Sequence, residues 1–145
     1  MSKKLLQIFL GIIGLVPLIT GIEGLLGGAF NRFYSVPFNN QILGNIILDS
    51  NLRYFSGVWL GLGIIVFWII PNIERHTFML RSICLMIFLG GVGRLISLFL
   101  IGNPSSLFVV FTILELVFPL FSIWQYQIVQ SSKRLEQKVQ PLIQP

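Results

Sequence analysis

The sequence predicts an all-α polytopic membrane protein, a bundle of four transmembrane helices. Three observations predict it: an apolar composition, four apolar runs of spanning length, and basic residues that favour alternate connections. Of 145 residues, 54% are hydrophobic and 10% charged, and the mean hydropathy is +0.86, too apolar for a soluble domain of this length. Crossing a ~30 Å hydrocarbon core takes roughly 20 residues of helix. Four spans and their connections therefore use nearly all of these residues and leave no room for a separate soluble domain.

The first span is predicted over 5–28, preceded by Lys3 and Lys4 and interrupted by Pro17 and Glu23. A membrane helix tolerates such residues where neighbours satisfy the freed groups. The same start fits a cleaved signal peptide, but the apolar run is longer than a usual signal core and no small-x-small site precedes the polar segment, so the expectation is a retained span. Residues 31–50, with Asn31, Arg32, Pro37, Asn39, Asn40, Gln41 and Asn45, form the longest connection. Within it, 42–48 reads as a short interfacial helix, and Asp49 or Ser50 as the N-cap of the second span.

That second span is predicted over 52–70, stopped by Pro71 and followed by a tight charged turn of Asn72, Glu74, Arg75 and His76. The third runs over 77–101, carries Arg81 and Arg94, and ends at the turn signal Gly102, Asn103, Pro104, Ser105. The fourth runs over 107–129, is interrupted by Glu115 and Pro119, and has Trp124 and Tyr126 where an interfacial aromatic belt would sit. Residues 1–130 thus read as one transmembrane domain. Residues 131–145, with Lys133, Arg134, Lys138 and several glutamines, read as a polar basic cytoplasmic tail, either a short solvated helix or a disordered end. Gly24 with Gly28, and Gly57 with Gly61, match the small-xxx-small spacing of closely packed membrane helices.

Orientation follows from the basic flanks. Lys3, Lys4, Arg75, Arg81, Lys133, Arg134 and Lys138 fall on one side of the membrane and only Arg32 and Arg53 on the other. The positive-inside rule then puts both termini of a multi-pass protein in the cytoplasm. The same topology explains the net charge of +5: the basic residues are scattered over short flanks and form no basic surface of the kind that binds nucleic acid.

Several chemistries are excluded. Cys84 is the only cysteine and His76 the only histidine, which rules out an intramolecular disulfide, a CxxC redox pair, a Cys-based zinc site, bis-histidine haem ligation within one chain and a metal site at the His76 turn. There is no Gly-x-Ser-x-Gly, no His-Glu-x-x-His and no phosphate loop, so hydrolytic and metal-dependent catalysis is not expected. No cofactor is predicted, although a quinone or lipid would fit the setting.

The candidate site is a set of polar residues in the outer half of the membrane. At ~1.5 Å per residue, Arg94 lies ~10 Å inside the outer end of span three and Glu115 ~12 Å into span four. Glu23 falls in the outer third of span one and Arg53 opens span two, with Asp49 and Asn51 at the mouth and Trp59 near the same depth. Isolated charges there cost at least ~2.5 kcal/mol, so they should pair or face inward. Helical spacing agrees: Arg94 shares a face with Gly90, Gly91, Ser97 and Leu98, Glu23 with Thr20 and Gly27, Arg53 with Ser56, Gly57 and Leu60, and Glu115 with Thr112, Ser122 and Tyr126. Three readings stay open. Arg94 with Glu115, and Arg53 with Glu23 or Asp49, are structural ion pairs; or the pocket receives an amphiphile or anionic head group; or a carboxylate moves a proton.

Three stretches carry a resemblance. They are residues 48–63, with Asp49, Asn51, Arg53, Gly57, Trp59, Gly61 and Gly63; residues 87–95, with Gly90, Gly91, Gly93 and Arg94; and Glu115-Leu116 followed by Pro119. Together they resemble an uncharacterised family of small bacterial four-span proteins, a domain of unknown function grouped with DoxX-like proteins. The resemblance implies a single four-helix membrane bundle with Asp49, Asn51, Arg53, Arg94 and Glu115 as motif residues. It implies no established reaction, though DoxX-like proteins are associated with quinone-linked or redox-partner roles.

Two functions are therefore expected ahead of an enzyme using Glu115 or Glu23 as acid or base. One is a binding module whose pocket, formed by Arg94, Glu115, Arg53, Glu23, Asp49, Asn51 and Trp59, holds a lipid head group or quinone. The other is an accessory or assembly subunit whose charge cluster is purely structural. Beyond the bilayer, the partners expected are membrane proteins or a second copy of the chain.

Overall fold

A computed structural model describes residues 2–28, 46–102 and 105–143. They form α1 (Lys3–Gly27), α2 (Ile46–Ile69), α3 (Thr77–Leu100), α4 (Ser106–Val117) and α5 (Pro119–Ile143), with no strand among the described residues. Four helices are long and apolar enough to cross a membrane: α1, α2, α3, and the run Ser106–Leu135 that α4 and the first part of α5 make together. The fold class is the predicted one, and the chain is a multi-pass membrane protein. Large apolar side chains point outward, with Leu26 74%, Ile46 83% and Phe99 79% exposed, a surface that suits hydrocarbon and not water.

The chain divides into two compact units, Ile8–Pro71 and Met1–Gln7 with Asn72–Pro145, and each is described by itself. In the first, α1 and α2 lie antiparallel. Gly14 faces Val66 and Phe67, Gly63 faces Leu18, Gly21 faces Leu60, and Gly28 faces Arg53. Gly14, Gly21 and Gly28 recur at heptad spacing, which keeps one seam of α1 against its partner. At Gly21 the seam meets backbone, where a Cβ would lie 2.8 Å from Leu60 Cβ and 2.9 Å from its Cα and N. Only a hydrogen fits there. Pro17 is accommodated inside α1 and is buried.

The start of α2 departs from expectation. Asp49 and Ser50 do not cap the helix; they lie inside it, because α2 already runs from Ile46. The polar run continues the helix since Arg53 Nε donates to Asp49 Oδ2 at 2.8 Å, one turn on. The predicted interfacial helix falls partly within α2, and its residues 42–45, like residues 31–41 of the Asn-rich connection, lie outside the described residues.

In the second unit α3 packs antiparallel to α4 and α5. Arg81 meets the Tyr126 ring at 5.9 Å, Gly91 meets Glu115 and Leu116, and Arg94 meets Phe108. The fourth span is two helices because Pro119 has no N–H to give the Glu115 carbonyl. Phe118 N–H donates there instead at 3.3 Å, and Phe121 N–H donates to Phe118 O at 3.1 Å, so the axis tightens for one turn and resumes. The tail is helical to Ile143 as a continuation of the span.

At the other end of this unit the turn after Pro71 is tied in more tightly than a solvated loop. The fully buried Gln125 side chain donates from Nε2 to the Ile73 carbonyl. Glu74 receives Lys3 Nζ at 2.9 Å and Ser132 Oγ at 3.4 Å. One carboxylate thereby joins the N-terminus, the turn and the tail helix.

Candidate functional site

Of the sequence-predicted site residues, Glu23, Asp49, Asn51, Arg53 and Trp59 belong to the Ile8–Pro71 unit, and Arg94 and Glu115 to the other. In the Ile8–Pro71 unit, Arg53 is absorbed by the backbone of α1. The last carbonyls of a helix have no partner within it, and Arg53 Nη1 donates to Leu25 O at 2.8 Å and Leu26 O at 3.0 Å. Its Nε is held by Asp49. Gly28, at φ +53°, takes the left-handed conformation that ends a helix, and a Cβ there would meet Asp49 Oδ1 and the Arg53 guanidinium. Of the two carboxylates expected to partner Arg53, Asp49 is the one that does. The pair locks the end of α1 to the start of α2.

Trp59 is also engaged: its indole Nε1 donates to Thr20 Oγ1 at 3.0 Å, and Thr20 in turn donates to Val16 O at 2.7 Å. Asn51 and Glu23 are exposed on α2 and α1, and neither has a hydrogen bond or ion pair to another described residue. Replacing Arg53 by alanine should orphan two carbonyls and a partly exposed carboxylate. We expect a loss of about 1 kcal/mol and faster hydrogen exchange at Leu25 to Gly28, read by mass spectrometry in detergent; unchanged exchange there would contradict the capping role.

In the other unit, Arg94 and Glu115 are brought together, with Arg94 Nε 3.0 Å from Glu115 Oε2. The backbone makes this possible. Gly91, one turn before Arg94, lets α3 press against α4 so closely that a Cβ would stand 2.9 Å from Glu115 Cβ and 3.2 Å from Leu116 N. Glu115 is buried and its Oε2 has no hydrogen-bond partner, so the charge contact with Arg94 is what compensates it. Arg94 is more open, with 39% of its side chain exposed, and its guanidinium carbon lies 5.4 Å over the Phe108 ring, in cation–π range.

Beside this pair is a cleft of about 220 Å³ lined by Arg94, Ser97, Leu98, Phe108, Val109 and Thr112. Thr112 donates its hydroxyl to Phe108 O at 2.9 Å, the usual way a helix satisfies a threonine in a membrane. The Arg94 Nη groups make no hydrogen bond to a described residue. A guanidinium with Nε engaged and Nη groups uncommitted can bind an oxygen acceptor placed in the cleft.

The expected faces carrying Ser97 and Leu98 on α3 and Thr112 on α4 do line this cleft. Phe108 and Val109 were not anticipated. Phe108 continues the Thr112–Glu115 stripe one turn toward the N-terminus, so extending that stripe by the same spacing would have found it.

Among known proteins, the family described as a domain of unknown function (DUF4345) matches residues 5–126. Neither the curated proteins nor the solved structures gave a match.

Proposed function

We propose that this chain, which belongs to the DUF4345 family, is a binding module of the membrane that holds a small amphiphile, a lipid head group or a quinone, at the cleft beside Arg94. The observation that carries this reading is the half-exposed Arg94 at an open cleft within a membrane span. An arginine in a span costs at least ~2.5 kcal/mol, and ion pairing to Glu115 alone calls for no cleft. The aromatic and apolar walls from Phe108, Leu98 and Val109 suit the junction between a head group and its tail. With both termini cytoplasmic, the cleft belongs to the outer half of a bacterial inner membrane or its equivalent, and ligand enters laterally from the outer leaflet.

A second reading is favoured by a different observation. Arg53 is spent on capping α1 and Glu115 is compensated by Arg94, as in a purely structural charge set on an accessory subunit of a larger membrane complex.

Native mass spectrometry of the gently solubilised protein separates the two. The binding module predicts a co-purifying amphiphile on the wild-type chain that falls at least tenfold in Arg94→Gln. A bare wild-type chain, or an adduct indifferent to Arg94, removes the reading, and a stoichiometric partner chain in place of the adduct supports the second one.

A further inference from the structure

The cleft beside Arg94 is electrically balanced, and that restricts what it can hold. Among the described residues its one cation, Arg94, already has a counter-charge 3.0 Å away in Glu115. A second anion brought up to the guanidinium gains its attraction but meets the carboxylate behind it. The repulsion cancels part of that attraction, while nothing in the cleft makes good the hydration the anion loses. Hydrogen bonding points the same way. Thr112 spends its hydroxyl hydrogen on Phe108 O, and the Arg94 Nη groups are left as donors without a described partner. Phe108, Leu98 and Val109 supply aromatic and apolar walls around those donors.

We infer that the occupant is an uncharged head group bearing carbonyl or ester oxygens, and that anionic phosphate or carboxylate heads are discriminated against; this rests on the amphiphile reading above and names its ligand class. The carbonyl oxygen accepts from Arg94 Nη while the ring or glyceryl carbons lie on Phe108. Glu115 is thereby a specificity-determining residue that touches no ligand itself: it sets the charge of the site through Arg94.

The test is a competition on delipidated full-length protein in a non-ionic detergent. The probes are a diacylglycerol, a short-chain benzoquinone and a phosphatidylglycerol of matched chain length at equal concentration, with adducts counted by native mass spectrometry. Wild type should take the neutral probes at least tenfold over phosphatidylglycerol, and which of the two dominates identifies the source of the carbonyl. Glu115→Gln unmasks the arginine charge and should reverse the preference toward phosphatidylglycerol. A wild-type preference for the anionic lipid overturns the inference, as does an unchanged ranking in folded Glu115→Gln, while an Arg94-dependent adduct in either case keeps the amphiphile reading. If Glu115→Gln does not fold, the wild-type ranking at low and high salt decides: neutral probes bind equally at both, and a salt-sensitive, anion-first ranking is contrary. No Arg94-dependent adduct of any probe removes both readings.

Discussion

Arg94→Leu lowers the stability of the protein by about 2–3 kcal/mol, and the double variant Arg94→Leu/Glu115→Leu recovers most of that loss. Removing one partner of a buried pair leaves the other charge uncompensated and typically costs 3–5 kcal/mol; the 39% exposure of Arg94 moderates this, since water reaches one side of the pair. Glu115 cannot turn to another donor, because its Oε2 has no hydrogen-bond partner and Arg94 is its only ion-pair contact among the described residues. Replacing both by leucine removes the desolvation cost along with the attraction, which is why the double variant approaches wild type. Unfolding by a graded denaturing detergent, followed by tryptophan fluorescence, supplies the four free energies of the cycle. Additive losses in the double variant would mean that the two side chains act independently and that their 3.0 Å contact carries no coupling.

The sequence already disclosed this pair, and the reason is physical: a charge within a span is so costly that a lone arginine and a lone glutamate in neighbouring spans have few alternatives to each other. Span existence was legible for the same kind of reason, since apolar runs of about 20 residues have no other solvent. What remained hidden depended on rotation about the helix axes. Gly57 and Gly61 have small-xxx-small spacing, yet a Cβ at Gly57 would make only an ordinary 3.6 Å contact with Leu25, and one at Gly61 would meet nothing within 4 Å. Close approaches fall at Gly14, Gly21, Gly28, Gly63 and Gly91. Helices that are apolar all round carry little periodic signal to mark the inner face, so spacing alone did not choose among these glycines. Gly28 is closely packed as its spacing suggests, but it has a second role that the spacing does not show. It ends α1 in a left-handed conformation, which its role beside Arg53 explains and which no pattern of small residues encodes. The start of α2 shows the same dependence on tertiary contacts: Asp49 resembles a cap in isolation, and becomes helix interior because Arg53 holds it while reaching across to α1.

The crossing at Gly91 makes the second large effect steric. Gly91→Ala should cost about 1–3 kcal/mol, the usual range for overpacking, and should weaken the coupling between positions 94 and 115 measured in the cycle above. The new methyl would stand 2.9 Å from Glu115 Cβ, 3.2 Å from Leu116 N and 3.3 Å from Glu115 C. Two of those atoms are backbone, so no side-chain rotation relieves the contact and α4 has to move. Arg94 lies one turn further along α3, and the same movement lengthens its reach to Glu115. Gly90 is the control, because a Cβ there meets nothing within 4 Å; Gly90→Ala should be neutral or gain up to ~1 kcal/mol from helix propensity. If both alanines behave alike and the 94–115 coupling survives Gly91→Ala, the close approach of α3 and α4 is not what positions the pair. If only Gly91→Ala loses stability and coupling together, the missing side chain at Gly91 is what sets the ion pair and the cleft beside it.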